Sequence, residues 1–305
     1  MLETLLGNEM LKESLLAALC AGRLSHSILL CGDAGTGTGY AARCLAADYL
    51  YPHGGSGAEQ VMHGGCAEVI LLAGEGKSGN ITVDRVREVR REIFNTAMSA
   101  NGRVVLIPDA QKLHGGRGDA ANALLKVLEE PPDGVLFILT APSEALILPT
   151  LRSRCCSYAL APIAESVCTA ELDRLFPKEK NNAEISAVFG GKFGSAKKCL
   201  ADSAAKAQLA DAKLLAGFCA QCDTYAVLHL LSKYEKDREP ARILLRLFAQ
   251  ICAASLRGRV GTILPDSKTA LRCLPAIGDA DAKLAAYVNQ KLVLSVLAGT
   301  LTAAE

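Results

Sequence analysis

The apolar positions of this chain follow one rhythm up to about residue 161 and another beyond it. Leu11, Leu15, Leu16 and Leu19 fall on one stripe, so residues 9–22 are predicted as an amphipathic helix. Ser27-Ile-Leu-Leu-Cys31 is a short run without alternation, as in a strand buried on both faces. A glycine-rich stretch follows, then a predicted helix over residues 40–50. Residues 51–66 are rich in Gly and are read as loop. Further strands are expected at 69–72, 103–107, 135–140 and 156–160. Helices are expected from about 82 to 96, with Thr82 as cap and Asp84 in the first turn, and over 119–130, stopped by Pro131 and Pro132. A short helix is expected over 146–154. Short apolar strands alternating with helices predict a parallel sheet covered on both faces.

After Pro162 the strands stop. Short helices are expected at 165–176 and 182–189, with a turn over 190–194. From about Ser203 the chain reads as helix after helix, rich in Ala and Leu and punctuated by Pro240 and Pro265. The predicted division is an α/β domain over 1–161, a small helical domain over 162–204 and an all-helical domain over 205–305.

Composition narrows the function classes. The 33 basic and 32 acidic residues leave a formal charge of +1, which argues against gripping nucleic acid through net charge, although a local basic face remains open. With no Trp and 5% aromatics, base-stacking platforms are not expected. The first residues lack a basic segment followed by an apolar core, and no run of 18 apolar residues occurs, so neither a secretion signal nor a membrane span is expected. The 12 Cys are then read as reduced, buried thiols of a cytoplasmic protein.

The candidate chemistry begins at Gly32-Asp-Ala-Gly35-Thr-Gly37-Thr38-Gly39. This is the glycine frame of the phosphate loop G-x-x-x-x-G-K-[ST], between a predicted strand and a predicted helix. Thr38 stands where the Lys belongs and Gly39 where the hydroxyl belongs. In a working loop the Lys neutralises the β/γ-phosphates and the hydroxyl holds Mg²⁺. Here the frame is present and the charge-handling pair is missing. The strand at 103–107 ends in Pro108-Asp109, where an NTPase needs an acid to hold Mg²⁺, so this position departs in the same direction. Neither ATP nor Mg²⁺ is expected to be bound productively. Gly74-Glu-Gly-Lys77-Ser78 carries a G-K-S tail, but its first motif glycine would fall on Leu71 inside a strand, and it is read as a solvated loop.

Three other groups carry candidate chemistry. Leu151-Arg152-Ser153-Arg154-Cys155 puts two Arg at a helix end, where they can satisfy carbonyls; beside a phosphate-loop fold, an exposed Arg can instead reach a neighbouring subunit's nucleotide. His53, His63 and Cys66 offer three zinc ligands with no paired C-x-x-C, so no zinc is expected. Cys219 and Cys222 form a C-x-x-C read as two buried thiols inside an apolar helix.

Together these segments resemble the delta-prime subunits of bacterial DNA polymerase III clamp loaders, in the AAA+ superfamily. The resemblance runs over about residues 5–200. It is carried by Leu6-Gly-Asn-Glu9, Gly22-Arg-Leu-Ser-His26, the loop at 32–39, Ile81-Thr-Val-Asp-Arg-Val-Arg87, Asn122-Ala-Leu-Leu-Lys-Val-Leu-Glu-Glu-Pro-Pro132 and Leu151-Arg-Ser-Arg-Cys155. It implies an AAA+ α/β core, a small helical lid and an all-α collar that joins subunits. It implies that Ser153-Arg154-Cys155 is an arginine-finger motif, with Arg154 serving an adjacent motor subunit in trans. It places the first sensor position at Thr140 or Ala141 and the missing second-sensor arginine near Gly194. The family's four-Cys zinc module is shortened here to Cys66 and two His. The implied function is a non-hydrolysing stator, no enzyme by itself, within the DNA-directed DNA polymerase III holoenzyme, a nucleotidyltransferase. Its implied partners are gamma/tau-type motor subunits and the clamp-opening delta subunit, with the sliding clamp and primed DNA met through the complex. The alternatives are an active AAA+ ATPase motor with an atypical loop and a general DNA-binding module.

Overall fold

A computed structural model describes residues 1–75, 79–94, 102–114, 119–258 and 265–303. Two compact units divide the chain, Met1–Ile163 and Ala164–Glu305. The second holds both stretches expected as lid and collar.

The first unit is a five-stranded parallel sheet. Its strands are β1 (Ser27–Cys31), β2 (Val69–Leu71), β3 (Arg103–Ile107), β4 (Val135–Ala141) and β5 (Cys156–Ala159). Their order across the sheet is β2-β3-β4-β1-β5. The helices are α1 (Glu9–Cys20), α2 (Thr38–Leu50), α3 (Ser56–His63), α4 (Val83–Ile93), α5 (Asp119–Glu129) and the single turn α6 (Pro149–Arg152). Successive strand residues point to opposite faces, which produces two cores. Ile28, Leu30, Val104, Leu136 and Ile138 pack with Leu11, Leu15 and the Ala- and Leu-rich inner side of α2. Leu29, Val105, Ile107, Phe137 and Leu139 pack with Val86 and Val89 of α4 and Leu124 and Leu128 of α5. β4 is buried at every residue, as its unbroken apolar run requires. The Thr82 hydroxyl accepts from the Arg85 N–H at the start of α4, as its cap role predicts.

Three local readings are corrected. The stretch read as loop contains α3, whose Ala58 and Val61 are buried. The short helix expected over 146–154 is a 3-10 turn at Glu144–Leu146 followed by α6. The helix expected from Thr82 to Thr96 is α4, ending at Ile93; Thr96 lies outside the described residues.

The ends of this unit are tied together. Asn8, in the left-handed region at φ 56°, donates from its carboxamide to the Ala161 carbonyl at 3.1 Å and accepts the Ala161 N–H at 2.9 Å.

The second unit is all-helical: α7 (Glu165–Leu175), α8 (Asn182–Phe189), α9 (Phe193–Ala201), α10 (Ser203–Ala220), α11 (Thr224–Ser232), α12 (Arg238–Leu256), α13 (Ser267–Ala285) and α14 (Gln290–Thr302). Phe248, Leu244, Leu245 and Ile251 of α12 are fully buried. Pro240 sits in the first turn of α12, and Pro265 precedes the Asp266 carboxylate that caps α13 by accepting from Thr269 N–H. Pro275 lies inside α13, which continues through it to Ala285. The turn expected over 190–194 is shorter, because Phe193 already opens α9. Among the described residues no helix is long and apolar enough to cross a membrane.

Candidate functional site

The carboxyl ends of the strands hold the glycine loop. Gly32 N–H donates to the Ala141 carbonyl at 3.0 Å, which fixes the loop's start against the end of β4. Thr36 donates to the Asp33 carbonyl through both its N–H at 3.0 Å and its hydroxyl at 2.8 Å. Gly37, at φ 100°, turns the chain into α2, so Thr38 is the first helical residue. The frame tolerates little at its base. A Cβ on Gly32 would lie 2.6 Å from Thr36 Oγ1 and 2.8 Å from the Leu160 carbonyl oxygen. A Cβ on Gly39 would meet nothing within 4 Å. A side chain at position 39 would therefore have room.

Beside the loop lies an open cavity of about 340 Å³, lined in part by Cys31, Asp33, Thr36, Ser143 and Glu144. Among its described lining residues there is no Lys or Arg. Burial, aided by the Glu144 carboxylate, pushes the Cys31 thiol up to about 11. The polar side chains lining this cavity are thus carboxylates and hydroxyls. Asp109, beyond β3, adopts φ 52°. Its Oδ2 takes a hydrogen bond from Lys112 Nζ at 2.9 Å, and its N–H donates to Thr140 Oγ1 at 3.4 Å. Asp109 thus closes a turn, and the Thr140 hydroxyl serves that turn.

Arg154 lies at the other rim of the sheet. β1 and β5 run parallel, with Ile28 opposite Cys156 and Cys31 opposite Ala159. Those pairings stand three residue steps apart, roughly 10 Å at the rise of a strand. Arg154 precedes the lower pairing and Gly32 follows the upper one, so the two stand at opposite ends of the β1–β5 ladder. Arg154 Nη1 donates to the Thr150 carbonyl at 2.9 Å, and Nη2 pairs with Glu129 at the end of α5. A shallow open cavity at this corner is lined by His26, Leu128, Glu129, Ser153 and Arg154. His26 Nε2–H donates to the Leu128 carbonyl at 3.1 Å. Two segments that carried the family resemblance, 122–132 and 151–155, therefore meet through one ion pair. Sequence spacing could not pair Glu129 with Arg154, which stand 25 positions apart. Cys155 beside it is half-buried, and burial pushes its thiol up to about 12, so it is a packing thiol.

The remaining candidates do not gather. Cys66 Sγ donates to Glu68 Oε2 at 3.1 Å, while His53 and His63 are exposed. Among the described residues no three His, Cys, Asp or Glu side chains are placed to hold a metal ion. Lys77 and Ser78 lie outside the described residues; next to them Glu75 N–H donates to the Asn80 carbonyl at 3.2 Å. The reading of Cys219 and Cys222 as two buried thiols in one helix is overturned: α10 ends at Ala220, and Cys222 is exposed in a turn at φ 53°. Cys20 and Cys156 are exposed as well, so the expectation of uniformly buried thiols fails at three positions.

Comparison with known proteins gives three kinds of match. The family described as "DNA polymerase III, delta subunit" matches residues 7–164. DNA polymerase III subunit delta' of Escherichia coli (strain K12) is 34% identical over 170 residues, 53% of this chain and 50% of that protein. The chain thus spans about half the length of this curated relative. A DNA polymerase III gamma subunit-related protein from Thermotoga maritima superposes with a TM-score of 0.54 at 19% identity, over 94% of this chain and 98% of the other. A point mutant of Thermotoga maritima RuvB superposes with a TM-score of 0.51 at 15% identity, over 97% and 90%. These two likenesses show that the chain shares its fold with RuvB and with the gamma subunit-related protein.

Proposed function

This chain belongs to the delta-prime family of DNA polymerase III clamp-loader subunits, and on that premise we propose that it acts as a non-hydrolysing stator within the loader. In this reading the glycine loop is a structural turn that binds neither ATP nor Mg²⁺ productively, and no zinc is held. Arg154, framed by Ser153 and Cys155, reaches the ATP of an adjacent gamma/tau-type motor subunit. There its guanidinium stabilises charge that builds on the transferring phosphoryl group, an effect worth about 10³-fold or more in related phosphoryl transfers. Residues 162–204 act as the lid and 205–305 as the collar that holds the motor subunits and the clamp-opening delta subunit. The assembly loads the sliding clamp onto primed DNA in the cytoplasm.

One observation carries this reading. Among its described residues the cavity beside the loop is lined by no Lys or Arg, whereas Arg154 stands at the opposite rim of the sheet, solvent-accessible and in reach of a neighbouring molecule's phosphate. The test is reconstitution of this chain with motor and clamp-opening subunits, followed by DNA-stimulated ATPase measurement. Arg154→Ala lowers turnover by about tenfold or more while leaving assembly intact. Unchanged turnover removes the finger role. Steady release of phosphate from ATP by the lone chain overturns the stator and favours the active-motor alternative.

A further inference from the structure

We propose that Glu129 is the positioning residue of Arg154, holding the guanidinium in the orientation it presents to a neighbour's phosphate. The proposal rests on the finger reading above and adds to it the group that aims the finger.

The placement of Glu129 is unfavourable without Arg154. It is the last residue of α5 and is followed by Glu130. Carboxylates at a helix C-terminus face the negative end of the macrodipole and the last unpaired carbonyls. Arg154 supplies the missing positive charge there, through Nη2 to the Glu129 carboxylate. Its Nη1 is held independently by the Thr150 carbonyl. The two contacts come from different elements, α5 and α6, and grip the two ends of the planar fork. An Arg side chain otherwise explores many rotamers, and each must be given up when it meets a phosphate. Here two contacts restrict that freedom before docking. A guanidinium has five N–H donors. These two contacts and a 3.4 Å contact from Nη1 to Ser153 Oγ leave donors for a phosphate oxygen. The pair is open to solvent, with side chains 33% and 47% exposed, so an incoming phosphate can reach the fork without unpacking the core.

The experiment uses the reconstituted loader with DNA-stimulated ATPase as readout, resolved into kcat and KM for ATP. Glu129→Ala lowers kcat by about tenfold, short of the roughly hundredfold that a 1 Å misplacement can cost, and leaves KM unmoved. Glu129→Gln keeps an acceptor oxygen at the same reach and retains kcat within about twofold of wild type. In an Arg154→Ala background Glu129→Ala causes no further loss, because the two residues act as one unit. Thermal melts and gel filtration of each variant confirm fold and assembly. An Ala variant as fast as wild type, or a Gln variant as slow as the Ala variant, with Arg154→Ala slow in the same assay, overturns the positioning role alone. If Arg154→Ala itself runs at the wild-type rate, the finger reading is what fails.

Discussion

The turn after β1 and the turn before β5 belong to hydrogen-bonded neighbours, yet they differ in opposite senses. The first keeps a backbone built for phosphate: two left-handed glycines, an internally bonded threonine and a helix N-terminus. It offers no cation, and carboxylates line the space beside it. The second has an ordinary backbone, one turn of helix leading into a strand, and keeps its charged side chain gripped from two directions. Frame and charge have been separated onto opposite rims of one sheet. The lesson is that a loop's backbone frame and a well-held guanidinium are set by different elements, so one rim can carry the frame without the charge and the other the charge without the frame.

Variants can sharpen or break this contrast. The largest effect is expected from Gly32→Ala, whose Cβ must force Thr36 and the Leu160 carbonyl apart. It should cost about 1–3 kcal/mol in urea denaturation, as overpacking of a tight site does. Arg154→Ala should stay within about 0.5 kcal/mol of wild type, being a half-exposed side chain in a solvent-screened pair. If both cost alike, the division into structural loop and functional corner is wrong. Gly39→Ala should stabilise α2 by about 0.5–1 kcal/mol, because it replaces a helical glycine where nothing stands in the way. On the proposed stator reading, Thr38→Lys with Gly39→Ser should yield no steady ATP hydrolysis in the lone chain, since Pro108 still stands at the strand end where an NTPase carries a metal-holding acid; measurable turnover would overturn that reading of Pro108. A further effect, confined to alkaline pH, concerns Cys31, whose folded thiol is pushed up to about 11 from its ordinary 9.0. A raised folded value means that the native state keeps a proton the unfolded chain releases. The stability from this group is complete below pH 9 and declines as pH rises toward 11, which urea curves taken from about pH 8 to about pH 11 can follow. Glu144→Gln should move that decline only slightly, because burial is the larger cause of the shift.

Much of the first unit is legible in the chain. β1 and β4 are short apolar runs buried on both faces, and the glycine frame stands between β1 and a helix, so the parallel sheet and the loop's place follow from periodicity and spacing. What escapes does so for identifiable reasons. α3 hides in a glycine-rich stretch, but Gly57 is there for packing: a Cβ on it would stand 2.4 Å from the Tyr51 ring. The start of α9 reads as a turn because three glycines cluster between 190 and 194, although only Gly190 and Gly191 have positive φ. The exposure of Cys222 depends on α10 ending two residues earlier, which the Ala-rich sequence does not signal. At the site, each half is readable as a motif, whereas the Glu129–Arg154 pair and the opposed rims require the register of β5 against β1, a property of the sheet alone.

The two hydrogen bonds between Asn8 and Ala161 have a mechanical consequence. They clasp the beginning of the first unit to its exit across 153 positions, the way a paired strand would, but with a single side chain. Tension applied at residue 164 would load that clasp alongside the β1–β5 ladder, making it an early point of yield, and Asn8→Ala would lower the force needed to peel β5 away.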